Sequence, residues 1–263
     1  MSNSPLTYTK RFIIDHPICC FCGGGTPATT RDHVPAKVIF DGKHRPKGLE
    51  VPACVQCQEY SKKHELVAAM VARFFPDSTT SLQGKEIKKL FRRADKAVPG
   101  LLDEMKPSLK QKSRISEFQK KEPNAAHVLN LGGPLVNASL DIFAIKMTCA
   151  LHYGMTKNII PIDGAISIRV FSNVDALNGE IPHALINVLG SENTLKQGTW
   201  SVSNQFSYSY AITDTKAYGV YFSTFRRSFA VLGLVWDNIN IVPIGEGMKT
   251  FTPHTTGEFR RIR

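Results

Sequence analysis

The fold of the N-terminal part of this chain is set by the sequence CCFC at residues 19–22 and the sequence CVQC at residues 54–57. Each contains a Cys-x2-Cys pair, and the four paired residues are Cys19, Cys22, Cys54 and Cys57. Cys20 is a competing candidate for the place of Cys19. Two such pairs supply the four thiolates of a structural zinc site, because each pair binds the metal from one turn. The 31 residues between the pairs are too many for a simple zinc ribbon, so we expect a folded element between them. The pattern predicts a bound Zn²⁺ ion.

The segment between the cysteine pairs carries the sequence TRDHVP at residues 30–35. Its β-branched residues predict a strand over residues 28–34 that delivers Asp32 and His33. Successive side chains of a strand point to opposite faces, so both residues serve one site only at a bulge or at the end of the strand. A second short strand over residues 49–52 and a helix from Val55 to about Phe74 are predicted to follow.

The order C-x2-C, D-H-V-P and V-P-x-C-x2-C before a helix resembles the HNH endonucleases of the ββα-metal (His-Me finger) superfamily, in the branch with a treble-clef zinc site. The similarity covers residues 17–75. It implies that His33 is the general base of phosphodiester hydrolysis and that Asp32 is a ligand of a catalytic Mg²⁺ or Mn²⁺ ion. The four-thiolate zinc is structural, because its coordination sphere is closed.

The sequence departs from the family pattern at two places. Gln58 stands where the family has Asn or His as a further metal ligand, and residues 47–50 (KGLE) stand where another Asn or His is expected. By the resemblance we assign Gln58 to the catalytic metal and include His64, two helical turns after Cys57, among the catalytic candidates. Whether Gln58, His64 or Glu65 completes the metal site is left open.

A basic segment follows the zinc module. The chain has a net charge of +11, and between Lys85 and Lys121 it carries 12 Lys and Arg against 5 Asp and Glu. Such an excess favours a polyanionic partner, here nucleic acid, with DNA favoured over RNA. Residues 84–98 predict an amphipathic helix, which is either a solvated surface helix or a phosphate-binding one. Its candidate nucleic-acid-binding residues are Lys85, Lys88, Lys89, Arg92, Arg93 and Lys96.

The rest of the chain predicts an α+β fold with further helices at residues 107–121 and 137–153. Strands are predicted at residues 165–171, 184–189, 200–212, 217–225 and 229–236, forming a mixed sheet with a packed helix. We expect a nuclease module over residues 1–80, a basic helical segment over 81–131 and an α+β domain over 132–263. Cys149 is predicted to be a buried core thiol and His152 a capping or surface histidine.

Composition narrows the class of protein. The chain is 42% hydrophobic and 21% charged, as in ordinary globular proteins. Its longest apolar run, Phe229–Trp236, is too short for a bilayer span, and the first 18 residues lack the pattern of a signal peptide. A cytoplasmic protein without a membrane partner is therefore expected.

Three functions agree with these features. The leading hypothesis is a metal-dependent HNH-type endonuclease whose C-terminal half selects a substrate or partner. The alternative is a non-catalytic zinc-finger protein that binds nucleic acid or a partner through a degenerate HNH site. A third hypothesis is an effector subunit that acts only with a protein partner in a larger assembly, such as a phage-defence complex. The oligomeric state is left open.

Overall fold

The computed structural model describes residues 7–74, 81–108, 131–182, 187–243, 247–253 and 260–261. It confirms the predicted α+β class. The helices are α1 Tyr8–Asp15, α2 Val55–Ala72, α3 Ser81–Ala97, α4 Leu101–Glu104, α5 Pro134–Thr156 and α6 Asn173–Leu177. The strands are β1 Thr30–His33, β2 Glu50–Ala53, β3 Ala165–Ser172, β4 Lys196–Gln197, β5 Trp200–Ser201, β6 Ser207–Ile212, β7 Tyr218–Phe225, β8 Phe229–Trp236, β9 Lys249–Thr252 and β10 Arg260–Arg261.

The N-terminal part contains an antiparallel pair of strands followed by a long helix. In this pair, β1 and β2 align Asp32 with Val51 and His33 with Glu50. Helix α2 begins directly after Cys54, whose Sγ accepts the backbone N–H of Cys57 at 3.4 Å. The two strands and α2 occur in the predicted order, whereas the treble-clef assignment stays a prediction.

The segment before the first cysteine differs from expectation. We expected an arm or a lead-in strand there, but residues 8–15 form α1. The side chain of Thr7 caps this helix by accepting the N–H of Lys10 at 3.4 Å. No residue of α1 is buried.

The C-terminal sheet has the strand order β10-β9-β3-β8-β7-β6. All of these pairs are antiparallel, so the prediction of a mixed sheet was wrong. Short turns join β6 to β7 and β7 to β8, and a short connection of this kind can only reverse the chain. The predicted strand over residues 184–189 is also wrong in its last three residues, which form a turn, while residues 183–186 lie outside the described part.

The predicted strand over residues 200–212 is broken into β5 and β6. Between them, the carbonyl of Val202 accepts the N–H groups of Gln205 and Phe206, both at 2.8 Å, which closes a turn. Val202 and Phe206 are fully buried, so this turn is fixed by the core. The helix predicted over residues 107–121 lies almost entirely outside the described residues.

Helix α5 crosses one face of the sheet in the centre of the protein. Gly233 of β8 permits its close approach, because a Cβ atom at this position would lie within van der Waals overlap of the Thr148 side chain. Within the described ranges, α5 is the one helix long and apolar enough to span a membrane, but 72% of its most apolar window is buried in the fold. It is therefore the core helix of this structure.

One continuous hydrophobic cluster joins the cysteine region, α2, α3, α5 and the inner face of the sheet. It contains residues from all three predicted domain segments. Among the described residues, the cysteine region therefore shares its core with α5 and the sheet, which fixes its position against them.

Candidate functional site

The four paired cysteines converge on one point in the core. Their Sγ atoms all lie within 4.8 Å of one another, and Cys20 is outside this group. Cys22 Sγ lies 3.2 Å from Cys57 Sγ and 3.7 Å from Cys54 Sγ. A tetrahedral zinc ion with Zn–S distances of about 2.3 Å places its sulfurs about 3.8 Å apart, so the cluster is close to that geometry. The four buried cysteines can therefore hold a metal ion such as zinc.

The close approach of the four cysteine Sγ atoms favours a bound cation between them. Hydrogen bonding to Cys19 and Cys22, together with burial, raises the pKa of the Cys57 thiol. Four neighbouring thiolates repel one another in a buried site unless a cation compensates their charge. Metal binding would deprotonate all four, as is general for thiolate sites.

His33 lies on the accessible face of the β1–β2 pair. Its Nε2 atom is 3.5 Å from Glu50 Oε1, and Glu50 Oε2 accepts a hydrogen bond of 2.7 Å from Arg31 Nη1. Tyr8 of α1 covers this face, with its ring 4.3 Å from the Arg31 guanidinium. The side chain of His33 remains 28% exposed. A ligand can therefore reach the imidazole.

Burial and neighbouring cations favour the neutral imidazole of His33, and the carboxylate of Glu50 opposes them. Burial lowers the pKa of His33, and the nearby guanidinium of Arg45 lowers it further. Arg45 also fixes the loop after β1, because its guanidinium donates to the carbonyl oxygens of Val34, Pro35 and Gly48 at 2.7–2.9 Å. Burial lowers the pKa of Arg45 to about 10, which leaves it cationic at neutral pH. The exposed Lys37 adds further positive charge beside this face.

Asp32 points to the opposite, buried face of β1. Its Oδ2 atom lies 2.6 Å from the ammonium of Lys146 on α5. Lys146 Nζ also donates to Glu65 Oε1 at 2.6 Å and to Ser61 Oγ at 2.8 Å, both on α2. Each of these four residues is less than 9% exposed. We call Asp32, Ser61, Glu65 and Lys146 the lysine cluster.

The lysine cluster combines one cation with two carboxylates. Burial alone would lower the pKa of Lys146, but the carboxylates of Glu65 and Asp32 outweigh it and raise the pKa. Burial raises the pKa of Glu65, against the opposing effect of Lys146. The ammonium therefore stays charged, and it is the group that makes burial of Asp32 tolerable.

The other two residues assigned by resemblance occupy different surroundings. Gln58 is adjacent to Asp32, with Nε2 3.5 Å from Asp32 Oδ1. His64 faces α5, where its Nδ1 lies 3.2 Å from Ser139 Oγ. Burial lowers the pKa of His64 to about 4. The structure thus brings Asp32 and Gln58 together and gives His64 a separate, buried environment.

Three residues of this region were not singled out by the sequence analysis: Arg45, Glu50 and Lys146. The position of Lys146 in the middle of an apolar helix does indicate a buried ion pair, because a lysine is rarely buried without an anionic partner. Its partners could not be named, since they lie 81 to 114 positions earlier in the chain. Arg45, in a polar loop, and Glu50, at the start of β2, carried no such signal.

Helix α3 presents its predicted basic residues to solvent. Exposed on it are Lys85, Lys88, Lys89, Arg92, Arg93 and Lys96. Its buried residues Leu90 and Ala94 face the core. Glu86 of α3 accepts a hydrogen bond of 3.4 Å from Arg73, just after α2, and this hydrogen bond helps to hold the helix beside the zinc module.

Two predictions concern single residues of α5. Cys149 is a buried thiol, as predicted. The assignment of His152 to the surface was wrong, because it is 3% exposed and its Nδ1 lies 2.9 Å from the hydroxyl of Tyr221. His152 lines a pocket of about 180 Å³ that is also lined by Asn158 and Asp237.

No protein-family model, curated protein or solved structure matches this chain.

Proposed function

We propose that this protein is an endonuclease of the HNH type, in which a zinc-stabilised module carries His33 as the general base. The proposal depends on the accessibility and the lowered pKa of the His33 imidazole. Its imidazole is accessible, is held beside Glu50 and has a lowered pKa. A base must be neutral at working pH to accept a proton, so these surroundings suit the assigned role.

The chemistry assigned to His33 is removal of a proton from the water that attacks a phosphodiester. Positioned general bases contribute about 10² to 10⁴ in rate. Positive charges near the phosphate stabilise the charge that builds up in the transition state. Arg31, Lys37 and Arg45 are the candidates for this role, since each lowers the pKa of His33 through its charge.

The basic residues of α3 support nucleic acid as the substrate class. Exposed Lys and Arg side chains on one helix can contact successive phosphates without regard to sequence. This agrees with DNA or RNA, and the preference for DNA stays a prediction. A role for the C-terminal sheet in choosing the substrate or a protein partner also stays a prediction.

The predicted catalytic Mg²⁺ or Mn²⁺ ion is not part of this proposal. Asp32 is 7% exposed, and one of its carboxylate oxygens is already paired with Lys146. A divalent ion on the other oxygen would stand close to a buried ammonium, and like charges at that range repel strongly. The donor set of Asp32 and Gln58 therefore does not fit such an ion, and we assign it no step.

The proposal is tested by cleavage of plasmid DNA and of structured RNA by the zinc-loaded protein. Each reaction is run with Mg²⁺, with Mn²⁺ and without an added divalent ion. The wild-type chain is expected to cleave, and His33→Ala is expected to lose at least about 10² of the rate. His44→Ala is the matched control, because His44 is also a histidine near this loop but is exposed. Equal cleavage by wild type and His33→Ala, or cleavage by neither under any condition, would refute the proposed endonuclease activity.

A non-catalytic nucleic-acid-binding protein is the second candidate. It is favoured by the pairing of Asp32 with Lys146 and Gln58, which leaves this carboxylate without a role in chemistry. This candidate predicts salt-dependent binding of nucleic acid that is the same in wild type and His33→Ala, with cleavage in neither. Fluorescence anisotropy with labelled DNA and RNA at several salt concentrations measures it.

A further inference from the structure

The lysine cluster has the form of an occupied cation site. Three oxygen atoms from two elements surround the Lys146 ammonium: Asp32 Oδ2 from β1, and Ser61 Oγ and Glu65 Oε1 from α2, at 2.6–2.8 Å. The ring of Phe21, which lies between two of the zinc-site cysteines in sequence, is centred 5.7 Å from Nζ. Oxygen ligands with an aromatic face are the surroundings that a cation prefers in a buried site.

The same oxygens belong to the classes that hard divalent cations bind. Carboxylate, hydroxyl and amide oxygens are the usual ligands of Mg²⁺ and Mn²⁺ in proteins. The amide of Gln58 lies next to this set, with its NH2 group toward Asp32 and Nε2 3.5 Å from Oδ1. The centre of this oxygen set is occupied by the ammonium group of Lys146, which extends from helix α5.

The position of Lys146 makes exchange with a free ion difficult. The side chain is 4% exposed and starts from α5, which is buried along nearly its whole length. Moving the ammonium out would require a path through the core and would leave two carboxylates facing each other. The lysine is therefore a fixed part of the site and not a mobile competitor of dissolved ions.

We propose that Lys146 is the resident cation of this site and takes the place that a divalent metal ion holds in the enzymes that the zinc module resembles. The native chain accordingly binds no divalent ion at Asp32. Lys146 is a positioning residue: it holds Asp32 on the inner face of β1, and Asp32 Oδ1 accepts the backbone N–H of His33 at 2.9 Å. The inference concerns the buried face of the strand and holds whether or not His33 cleaves a substrate.

The test is Mn²⁺ binding by the zinc-loaded full chain, followed by the electron paramagnetic resonance signal of free Mn²⁺. Zinc is kept in the cysteine site, because thiolates select it over Mn²⁺. The proteins compared are the wild type, Asp32→Asn, Lys146→Ala and the double variant. The wild type and Asp32→Asn are expected to bind Mn²⁺ equally weakly, since the strong positive charge of the chain disfavours unspecific binding.

Lys146→Ala removes the ammonium and leaves space between the two carboxylates. It is expected to gain one Mn²⁺ site, with at least about tenfold tighter binding than the wild type, and the double variant is expected to lose that gain. Zinc content and the thermal melting curve show whether the variant is folded. If Lys146→Ala fails this check, Lys146→Gln, which is uncharged but longer, replaces it with the same expected gain.

Two results would overturn the inference. One is a wild-type Mn²⁺ site that Asp32→Asn abolishes, which would show that a metal ion and Lys146 share the carboxylate. The other is a folded Lys146 variant that gains no site. The first measurement compares the wild type with Asp32→Asn and needs no substitution at position 146, so it decides the question even where substitutions at that position prevent folding. Loss of cleavage in the nuclease assay would leave both measurements unaffected.

Discussion

Acidification should destabilise this fold through His152, and the size of the effect follows from its surroundings. The imidazole is buried, and its Nδ1 lies 2.9 Å from the hydroxyl of Tyr221. Burial raises the pKa of Tyr221, so this hydroxyl stays protonated and can donate to a neutral imidazole. Burial lowers the pKa of His152 from 6.5 to about 4. Protonation would place a positive charge on this buried ring, which is unfavourable.

The sign and magnitude come from proton linkage. Between pH 6.5 and 4 the unfolded chain binds a proton at position 152 and the folded chain does not, so stability is fully present above this window and is lost as the pH falls through it. From pH 7.5 to 5.5 the loss is about 1 kcal/mol, and below pH 4 it reaches roughly 3 kcal/mol.

Urea unfolding of the zinc-loaded protein at about pH 7.5 and 5.5 measures this loss. We compare the wild type with His152→Gln and with His44→Gln, which makes the same change at an exposed position. The difference in unfolding free energy between the two pH values should shrink by about 1 kcal/mol in His152→Gln and stay unchanged in His44→Gln. Burial also lowers the pKa of His64 to about 4, but His64 is present in all three proteins and cancels. A pH dependence of His152→Gln equal to that of the wild type would refute the argument.

Two further outcomes are expected. Cys57→Ser should lose the metal and lower the melting temperature, because three thiolates bind zinc more weakly than four. Cys149→Ser changes a buried thiol outside the cluster and should keep the metal. Metal analysis after dialysis measures both, and a full zinc content in Cys57→Ser would contradict the assignment. The double variant Lys88→Glu, Arg92→Glu on α3 should weaken nucleic-acid binding and reduce the slope of log K against log salt by about 0.9 for each phosphate that the helix no longer neutralises. The control Lys10→Glu, at an exposed position outside α3, should change neither the affinity nor the slope. Anisotropy titrations measure both quantities, and an unchanged slope in the double variant would remove α3 from the interface.

The features predicted correctly from the sequence depend on residues close together in the chain. The two Cys-x2-Cys pairs needed only their spacing, and the four cysteines do lie together. The amphipathic pattern of residues 84–98 agrees with α3, where Leu90 and Ala94 are buried and the basic residues are exposed. Local patterns of this kind contain the information that short elements need.

The features that were missed depend on tertiary structure. His152 ends an apolar pattern like any surface histidine, and only the approach of β7 with Tyr221 makes it a core residue. The turn between β5 and β6 interrupts a run of strand-forming residues because Val202 and Phe206 enter the core. Such long-range packing outweighs local propensity, and a single sequence does not reveal it.

The alternation of side chains along β1 separates the chemistry of this protein into two independent questions. His33 and Glu50 meet on the accessible face, whereas Asp32 meets Lys146 on the buried face. A substitution at His33 therefore alters the group available to a ligand without changing the ion pair behind it. Removing the charge of Lys146 acts on the other side, where it leaves Asp32 and Glu65 unpaired, and breaking a buried pair in this way costs about 3–5 kcal/mol. Cleavage that needs His33 but no added divalent ion would leave stabilisation of the transition state to the cations near His33, Arg31, Lys37 and Arg45, and not to the buried ammonium of Lys146.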